Sequence, residues 1–83
     1  MNYKINIKKK AQKFIQKQDR QQQIRLYKAI YELPNGDIKL LKGYKTIYRL
    51  RVGEYRIIFE WKENEIFIDV IDANNRGDIY KNY

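Results

Sequence analysis

Alternation of apolar and polar residues marks the first predicted strand. Tyr3, Ile5 and Ile7 alternate with polar residues, which is the period of a half-buried strand. The spacing of apolar residues then changes to that of a helix. This change predicts a short, very basic helix with one face formed by Ala11, Phe14, Ile15 and Gln18.

A second helix is predicted from its start and stop signals. Asp19 is a suitable N-cap, and Gln22 stands three residues later in a capping-box position. Pro34 and the pair Asn35–Gly36 end the helical pattern. The face expected to be buried carries Ile24, Tyr27, Ile30 and Tyr31.

The segment Tyr48–Phe59 is the most informative part of the chain, because it predicts two strands joined by the two-residue turn Gly53–Glu54. Glycine at the first central position suits a type II′ turn. Such a turn places Val52 opposite Tyr55. One face of this hairpin is therefore expected to carry Leu50, Val52, Tyr55, Ile57 and Phe59.

The opposite face of the predicted hairpin is cationic. Arg51 is expected opposite Arg56, and Arg49 opposite Ile58, with all three arginines on the same side. Like charges directly opposite each other destabilise a sheet. Three guanidiniums brought together therefore suggest an anionic ligand, and arginine is well suited to grip phosphate in a bidentate fashion.

Structural roles for the same arginines stay open. They can be residues of a solvated sheet face. If Lys62–Glu65 forms a four-residue loop, Asp69 is expected opposite Ile58, where it can neutralise Arg56 in a structural ion-pair cluster. The aromatic residues around the hairpin are expected in the core: Tyr48, Tyr55, Phe59 and Trp61.

The remaining segments complete a single α+β domain over residues 1–83. Residues 37–45 are predicted to be an irregular basic connection, Lys62–Glu65 a turn and Ile66–Ile71 an interior strand. Asn74–Gly77 breaks the pattern, and a short tail follows. The predicted order is β-α-α-β-β-β: an antiparallel sheet with an N-terminal strand and a helical hairpin on one face.

Composition narrows the chemistry. The 83 residues contain no Cys, which excludes disulfides and thiolate chemistry, and no His, which removes the commonest general base and metal ligand. No apolar run is long enough to span a membrane, and the start of the chain lacks the apolar region of a signal peptide. A cytoplasmic protein is expected.

Charge is unevenly distributed along the chain. The net charge is +8; residues 1–45 hold 12 basic and 3 acidic side chains, and residues 46–83 hold 6 and 7. A surface this basic favours a polyanion such as nucleic acid, or an acidic protein. A solvated lysine-rich surface that maintains solubility is the other interpretation.

Several motifs in this order resemble the RelE/ParE toxin superfamily, on its RelE-like side. They are the turn Leu41-Lys42-Gly43, the block Tyr48-Arg-Leu-Arg-Val-Gly-Glu-Tyr-Arg-Ile57 and the closing Arg76-Gly-Asp-Ile-Tyr80. The resemblance covers essentially the whole chain and implies the small α+β RelE-like fold. It also implies a toxin that enters the A site of the 70S ribosome and cuts mRNA without a cofactor or metal. An acidic antitoxin encoded by the adjacent gene is the implied inhibitor.

The resemblance also implies the site residues: Arg49, Arg51, Arg56, Arg76 and Tyr80. Two departures concern the catalytic detail. Some family members carry lysine at the positions of Arg49 and Arg51, and arginine is a poorer proton acceptor. Such members also carry a further basic residue where this chain has Asn74.

The chemistry of these residues is compatible with RNA cleavage by attack of a 2′-OH on the adjacent phosphate. Arginines can stabilise the charge of the phosphorane. Without His, proton transfer falls to weak groups such as Tyr80, whose reference pKa is about 10; Tyr80 can instead stack on a base or simply pack. Two other functions stay open: a ParE-like inhibitor of DNA gyrase that cuts nothing, and a non-toxic binding module.

Overall fold

A computed structural model describes residues 3–75, which form a five-stranded sheet and two helices. In chain order the elements are β1 (Lys4–Ile7), α1 (Lys9–Gln16), α2 (Arg20–Tyr31), β2 (Asp37–Leu40), β3 (Ile47–Val52), β4 (Tyr55–Trp61) and β5 (Phe67–Asn75). The strand order across the sheet is β1-β5-β4-β3-β2. The predicted α+β fold class is confirmed, and most of the predicted strand Ile66–Ile71, from Phe67 onward, lies on the interior strand β5.

Two features of the sheet differ from the sequence prediction. The segment Asp37–Leu40, predicted to be irregular, is an edge strand paired antiparallel with β3. It is four residues long and mostly exposed, so it has no alternation of buried and exposed positions to reveal it. The sheet is also mixed, because β1 pairs parallel with β5. Pairing between strands so far apart in the chain leaves no local sequence signal.

The first helix is buried on the predicted side, and the second is rotated relative to the prediction. Ala11 and Ile15 of α1 are fully buried. In α2, Asp19 is the predicted N-cap: its carboxylate accepts a hydrogen bond from the backbone nitrogen of Gln22 at 2.9 Å. The predicted burial of Ile24 and Tyr31 is wrong, because they are 59% and 61% exposed. The buried stripe of α2 is formed by Leu26 and Ile30.

The core lies between the helices and one face of the sheet. The hairpin β3–β4 contributes Leu50, Ile57 and Phe59, all buried. Of the four aromatic residues expected in the core, Phe59 is fully buried, whereas Tyr48, Tyr55 and Trp61 are half-buried and pack against the core. The Tyr48 ring stacks on Phe59 with centroids 5.4 Å apart, and its centroid lies 5.7 Å from that of Trp61. Neither described helix is long and apolar enough to cross a membrane.

Candidate functional site

The register of the β3–β4 hairpin is the one predicted from its turn. Arg51 is paired with Arg56, Arg49 with Ile58, and Val52 with Tyr55. Gly53 has a φ of 59°, the positive value that the first central position of a type II′ turn requires. A two-residue turn leaves no freedom of register, so the turn alone brings the three arginines onto one side.

The side chains of Arg49, Arg51 and Arg56 form what we call the arginine face, on the side of the sheet away from the helices. Their strand neighbours Leu50 and Ile57 point into the core and are 2% and 0% exposed. Since successive side chains alternate between faces, the arginines project to the opposite side. The predicted cationic patch is therefore present in the fold.

Arg49 is held by a carboxylate from the edge strand. Its Nη1 lies 3.2 Å from Oδ1 of Asp37 and donates to the Asp37 backbone oxygen at 2.9 Å. The Arg49 side chain is only 18% exposed. Asp37 is also directly opposite Arg51 in the sheet. Sequence reasoning missed Asp37, because its segment was not predicted to be a strand.

Arg56 is oriented by backbone oxygens rather than by an acid. Its Nη1 donates to the carbonyl of Gly53 at 3.2 Å and to that of Tyr55 at 3.1 Å. Arg51 is exposed. Among residues 3–75, neither Arg51 nor Arg56 has a carboxylate within 4 Å. Neither guanidinium is therefore neutralised by an acid of this part of the chain, and that of Arg56 is held in place by the turn.

The predicted pairing of Asp69 with Ile58 is wrong. Asp69 lies opposite Glu60, and its carboxylate accepts a hydrogen bond from Asn6 Nδ2 at 3.2 Å. The connection between β4 and β5 is longer than the four residues assumed, which moves Asp69 along the sheet. The structural ion-pair cluster between Asp69 and Arg56 is therefore absent from this part of the chain.

Other polar residues border the arginine face. Asn74 of β5 is directly opposite Arg56, and Lys39 of β2 is directly opposite Arg49. A cavity of about 360 Å³ beside Arg49 is lined by Lys39, Leu40, Leu41 and Lys42. These cations lie in or beside the strand that sequence reasoning missed.

Arg25 of α2 covers the hairpin turn. A Cβ added at Gly53 would lie 2.6 Å from Arg25 Nη2. Arg25 is exposed and far from the hairpin in the sequence. No local sequence pattern therefore predicts that it lies over the turn.

This arrangement can bind and polarise an anion. Preorganised donors aimed at a phosphate stabilise charge that develops on it. Within residues 3–75, no three acidic side chains lie close enough together to hold a metal ion. The other two predicted site residues, Arg76 and Tyr80, lie outside the described residues.

Comparison with solved structures identifies close relatives of this fold. The chain is similar to the toxin of the archaeal RelE–RelB complex from Pyrococcus horikoshii OT3, with 26% identity and a TM-score of 0.74 over 94% of this chain and 99% of that one. It is also similar to a chain of the RelB–RelE antitoxin–toxin complex from Methanococcus jannaschii, with 27% identity and a TM-score of 0.72 over 94% of this chain and 98% of that one.

The isolated RelE toxin of E. coli shares the fold at 20% identity, with a TM-score of 0.71 over 96% of this chain and 93% of that one. No model of a protein family matches the chain, and no curated protein does either. The resemblance to RelE-like toxins that the sequence motifs indicated is confirmed by these structures.

Proposed function

We propose that this protein is the toxin of a toxin–antitoxin pair and cleaves mRNA in the A site of the ribosome. Similarity over nearly the full length of RelE chains supports a toxin of such a pair. The observation that carries the nuclease function is the opposed pair Arg51–Arg56, which has no acidic partner among the described residues. Asp37 pairs with Arg49 on this face, whereas in a structural ion cluster Arg51 and Arg56 would each contact an acid as well.

In the proposed reaction, a ribose 2′-oxygen attacks the adjacent phosphorus, and the bond from phosphorus to the 5′-oxygen breaks. The 2′-OH gives up its proton, and the leaving oxygen gains one. The arginine face stabilises the additional negative charge on the phosphate oxygens between these events. Arg56 is suited to this task, because two backbone carbonyls orient its guanidinium before the substrate arrives.

We assign proton transfer or base stacking to Tyr80, with Arg76 orienting it or contacting the phosphate. The acid–base groups of this set are weak, because the chain has no His. Such an enzyme depends on geometry for its rate. The requirement for a ribosome follows, since the ribosome holds the mRNA in position. Neither a cofactor nor a metal takes part in this scheme, and the reaction takes place in the cytoplasm.

The proposed inhibitor is an acidic antitoxin from the adjacent gene. A domain with a net charge of +8 should attract an acidic partner, and an amphipathic helix laid on the toxin surface is a suitable binding mode. Dissociation constants measured over a series of salt concentrations test this. Rim charges make the complex weaken with salt, whereas salt-independent binding would indicate a mainly apolar interface.

Induced expression with and without the adjacent open reading frame tests the function. Growth arrest relieved by the neighbouring frame, with new mRNA 5′ ends in phase with codons of translated messages, is the expected result. Intact mRNA with blocked replication would contradict the nuclease and favour inhibition of DNA gyrase. An Arg56→Ala variant expressed to the same level is the control.

A further inference from the structure

Helix α1 and its C-cap carry a row of lysines that the candidate site does not use. Lys9, Lys13 and Lys17 are all exposed and four residues apart, so they follow one another along one helix face at intervals of about 6 Å. No acidic residue precedes Asp19 in the chain. Among residues 3–75, no carboxylate lies within 4 Å of this lysine row.

The structural tasks around α1 are performed by other side chains. Lys10 Nζ contacts Asp72 Oδ2 at 3.0 Å and ties the helix to β5. Gln18 Nε2 donates to the carbonyl of Phe14 at 3.0 Å, and Gln23 Nε2 donates to that of Gln18 at 2.8 Å, which satisfies carbonyls at the end of the helix. The lysine row has no corresponding role in these contacts.

The lysines of the row repel one another along the helix. Like charges at positions i and i+4 repel each other. The helix has no acidic residue in its first turn, and its N-cap, Lys8, makes no side-chain capping bond. Lys9 in the first turn also interacts unfavourably with the macrodipole, whereas Lys13 in the last turn and Lys17 at the C-cap interact favourably with it. An anionic partner along the row would relieve the repulsion between these lysines.

We propose that the lysine row binds the phosphate backbone of structured RNA, independently of base sequence; this rests on the proposed function. Lysine is a compact point charge, and contacts to phosphate give affinity and position without reading bases. The row offers little to a protein partner. Its exposed neighbours are Gln12 and Gln16, whereas Ala11 and Ile15 are fully buried, and lysine is depleted at protein interfaces.

The lysine row and the arginine face border the same end of β5. A cavity of about 310 Å³ is lined in part by Lys13, Lys17 and Asn74. Asn74 is directly opposite Arg56 in the sheet. The row lies on the helix side of the sheet and the arginine face on the other, and both reach this end of β5, so the row supplies affinity rather than contacts to the reacting phosphate.

The test measures binding of the 83-residue protein to a labelled RNA duplex of about 16 base pairs, between about 50 and 200 mM salt. The variant is Lys9→Gln/Lys13→Gln/Lys17→Gln. The control, with the same change of net charge, is Lys4→Gln/Lys28→Gln/Lys62→Gln, three exposed lysines from elsewhere.

We expect the row variant to lose at least about tenfold in affinity, and its log–log salt slope to fall by about 2 to 3, because each lost phosphate contact contributes about 0.7–0.9. The control slope should fall by less than about one. Equal losses in the two variants would mean that net charge alone matters and would overturn the proposal. Unchanged RNA binding with lost affinity for a poly-glutamate peptide would overturn it in favour of an acidic protein.

A second measurement separates binding from folding. Without RNA, the row variant should melt close to the temperature of the wild type, because the loss of repulsion along the helix is offset by the loss of two cations from its C-terminal end. A melting temperature that falls together with RNA affinity would give the lysines a structural role and overturn the proposal. A negative result for the lysine row would not contradict the proposed nuclease function, because ribosome-dependent cleavage by the wild type is measured separately.

Discussion

The two faces of the β3–β4 hairpin come from the same strands, but one is apolar and buried whereas the other is cationic. Toward the helices, Leu50, Ile57 and Phe59 are at most 2% exposed and pack in the core. On the other face, Arg51 and Arg56 oppose each other, and among the described residues no carboxylate lies within 4 Å of either guanidinium. Burial stabilises the first face, whereas the like-charge pair on the second destabilises the sheet.

This difference separates residues that hold the fold from residues that do chemistry. A face that lowers stability and is not neutralised indicates a binding site more strongly than charge alone does. Arg49 lies between the two cases, because Asp37 pairs with it and its side chain is mostly buried. The comparison therefore predicts opposite responses to substitution on the two faces.

The largest effect is expected on the core face. Phe59→Ala should lower the free energy of unfolding by about 3–5 kcal/mol, because it removes a fully buried ring and leaves a cavity. Urea denaturation followed by circular dichroism measures it. The matched change on the other face, Arg51→Ala, should stay within about 0.5 kcal/mol of the wild type or be more stable. Equal destabilisation by the two changes would break the comparison.

Tyr80 tests whether the site extends beyond the described residues. If its ring stacks on a base, Tyr80→Ala should lose about 1–3 kcal/mol of transition-state stabilisation, and Tyr80→Phe should keep most of the activity. Loss of cleavage in both variants would show that the hydroxyl of Tyr80 is needed for catalysis. We expect a partial loss of cleavage in the Phe variant and a larger loss in the Ala variant. Single-turnover cleavage on programmed ribosomes measures both. Unchanged cleavage in Tyr80→Ala would confine the site to the hairpin arginines.

Asp37 tests whether an acid positions Arg49. Asp37→Asn should reduce the cleavage rate by about fivefold, or about 1 kcal/mol, since Arg49 loses its charged partner but keeps the backbone oxygen. Stability should hardly change, because Asp37 is 59% exposed. A rate above that of the wild type would show instead that the carboxylate competes with phosphate for Arg49.

The smallest expected effect is a gain. Asn74→Lys places another cation opposite Arg56, and we expect cleavage to rise about twofold to fivefold at low salt, an effect of less than about 1 kcal/mol. Glu63→Gln makes the same change in net charge within the turn between β4 and β5 and should leave the rate as it is. Equal gains in both variants would reduce the effect to overall charge.

Much of the hairpin could be predicted from sequence, because its information is local. A two-residue turn with glycine first determines every pair across the strands, and therefore which residues share a face. The N-cap Asp19 was predicted for the same reason. The buried side of α2 could not be predicted in this way. Its apolar residues allow more than one apolar stripe, namely Ile24, Leu26, Tyr27 and Ile30, and only packing selects among them.

The parts of the site that were missed depend on distant pairing. Asp37 reaches Arg49 only because β2 adds to the edge of the sheet, and its four residues have no alternating pattern. The register of β5 depends on the length of the β4–β5 connection, which puts Asp69 opposite Glu60, and on an irregularity between Ile58 and Phe59, which shifts the pairing by one more residue and puts Asp72 opposite Ile58. A bulge of this kind cannot be seen in either strand alone.

The most direct test of the arginine face is single-turnover cleavage of mRNA on programmed ribosomes by Arg56→Ala, with urea denaturation of the same preparation. We predict a cleavage rate about 10²–10³-fold below that of the wild type, as for loss of one preorganised donor, with an unchanged unfolding midpoint. Arg56→Lys should recover part of the rate, because charge remains without the guanidinium fork. A rate within about twofold of the wild type, or a loss explained by unfolding, would contradict the assignment of this face as the catalytic site.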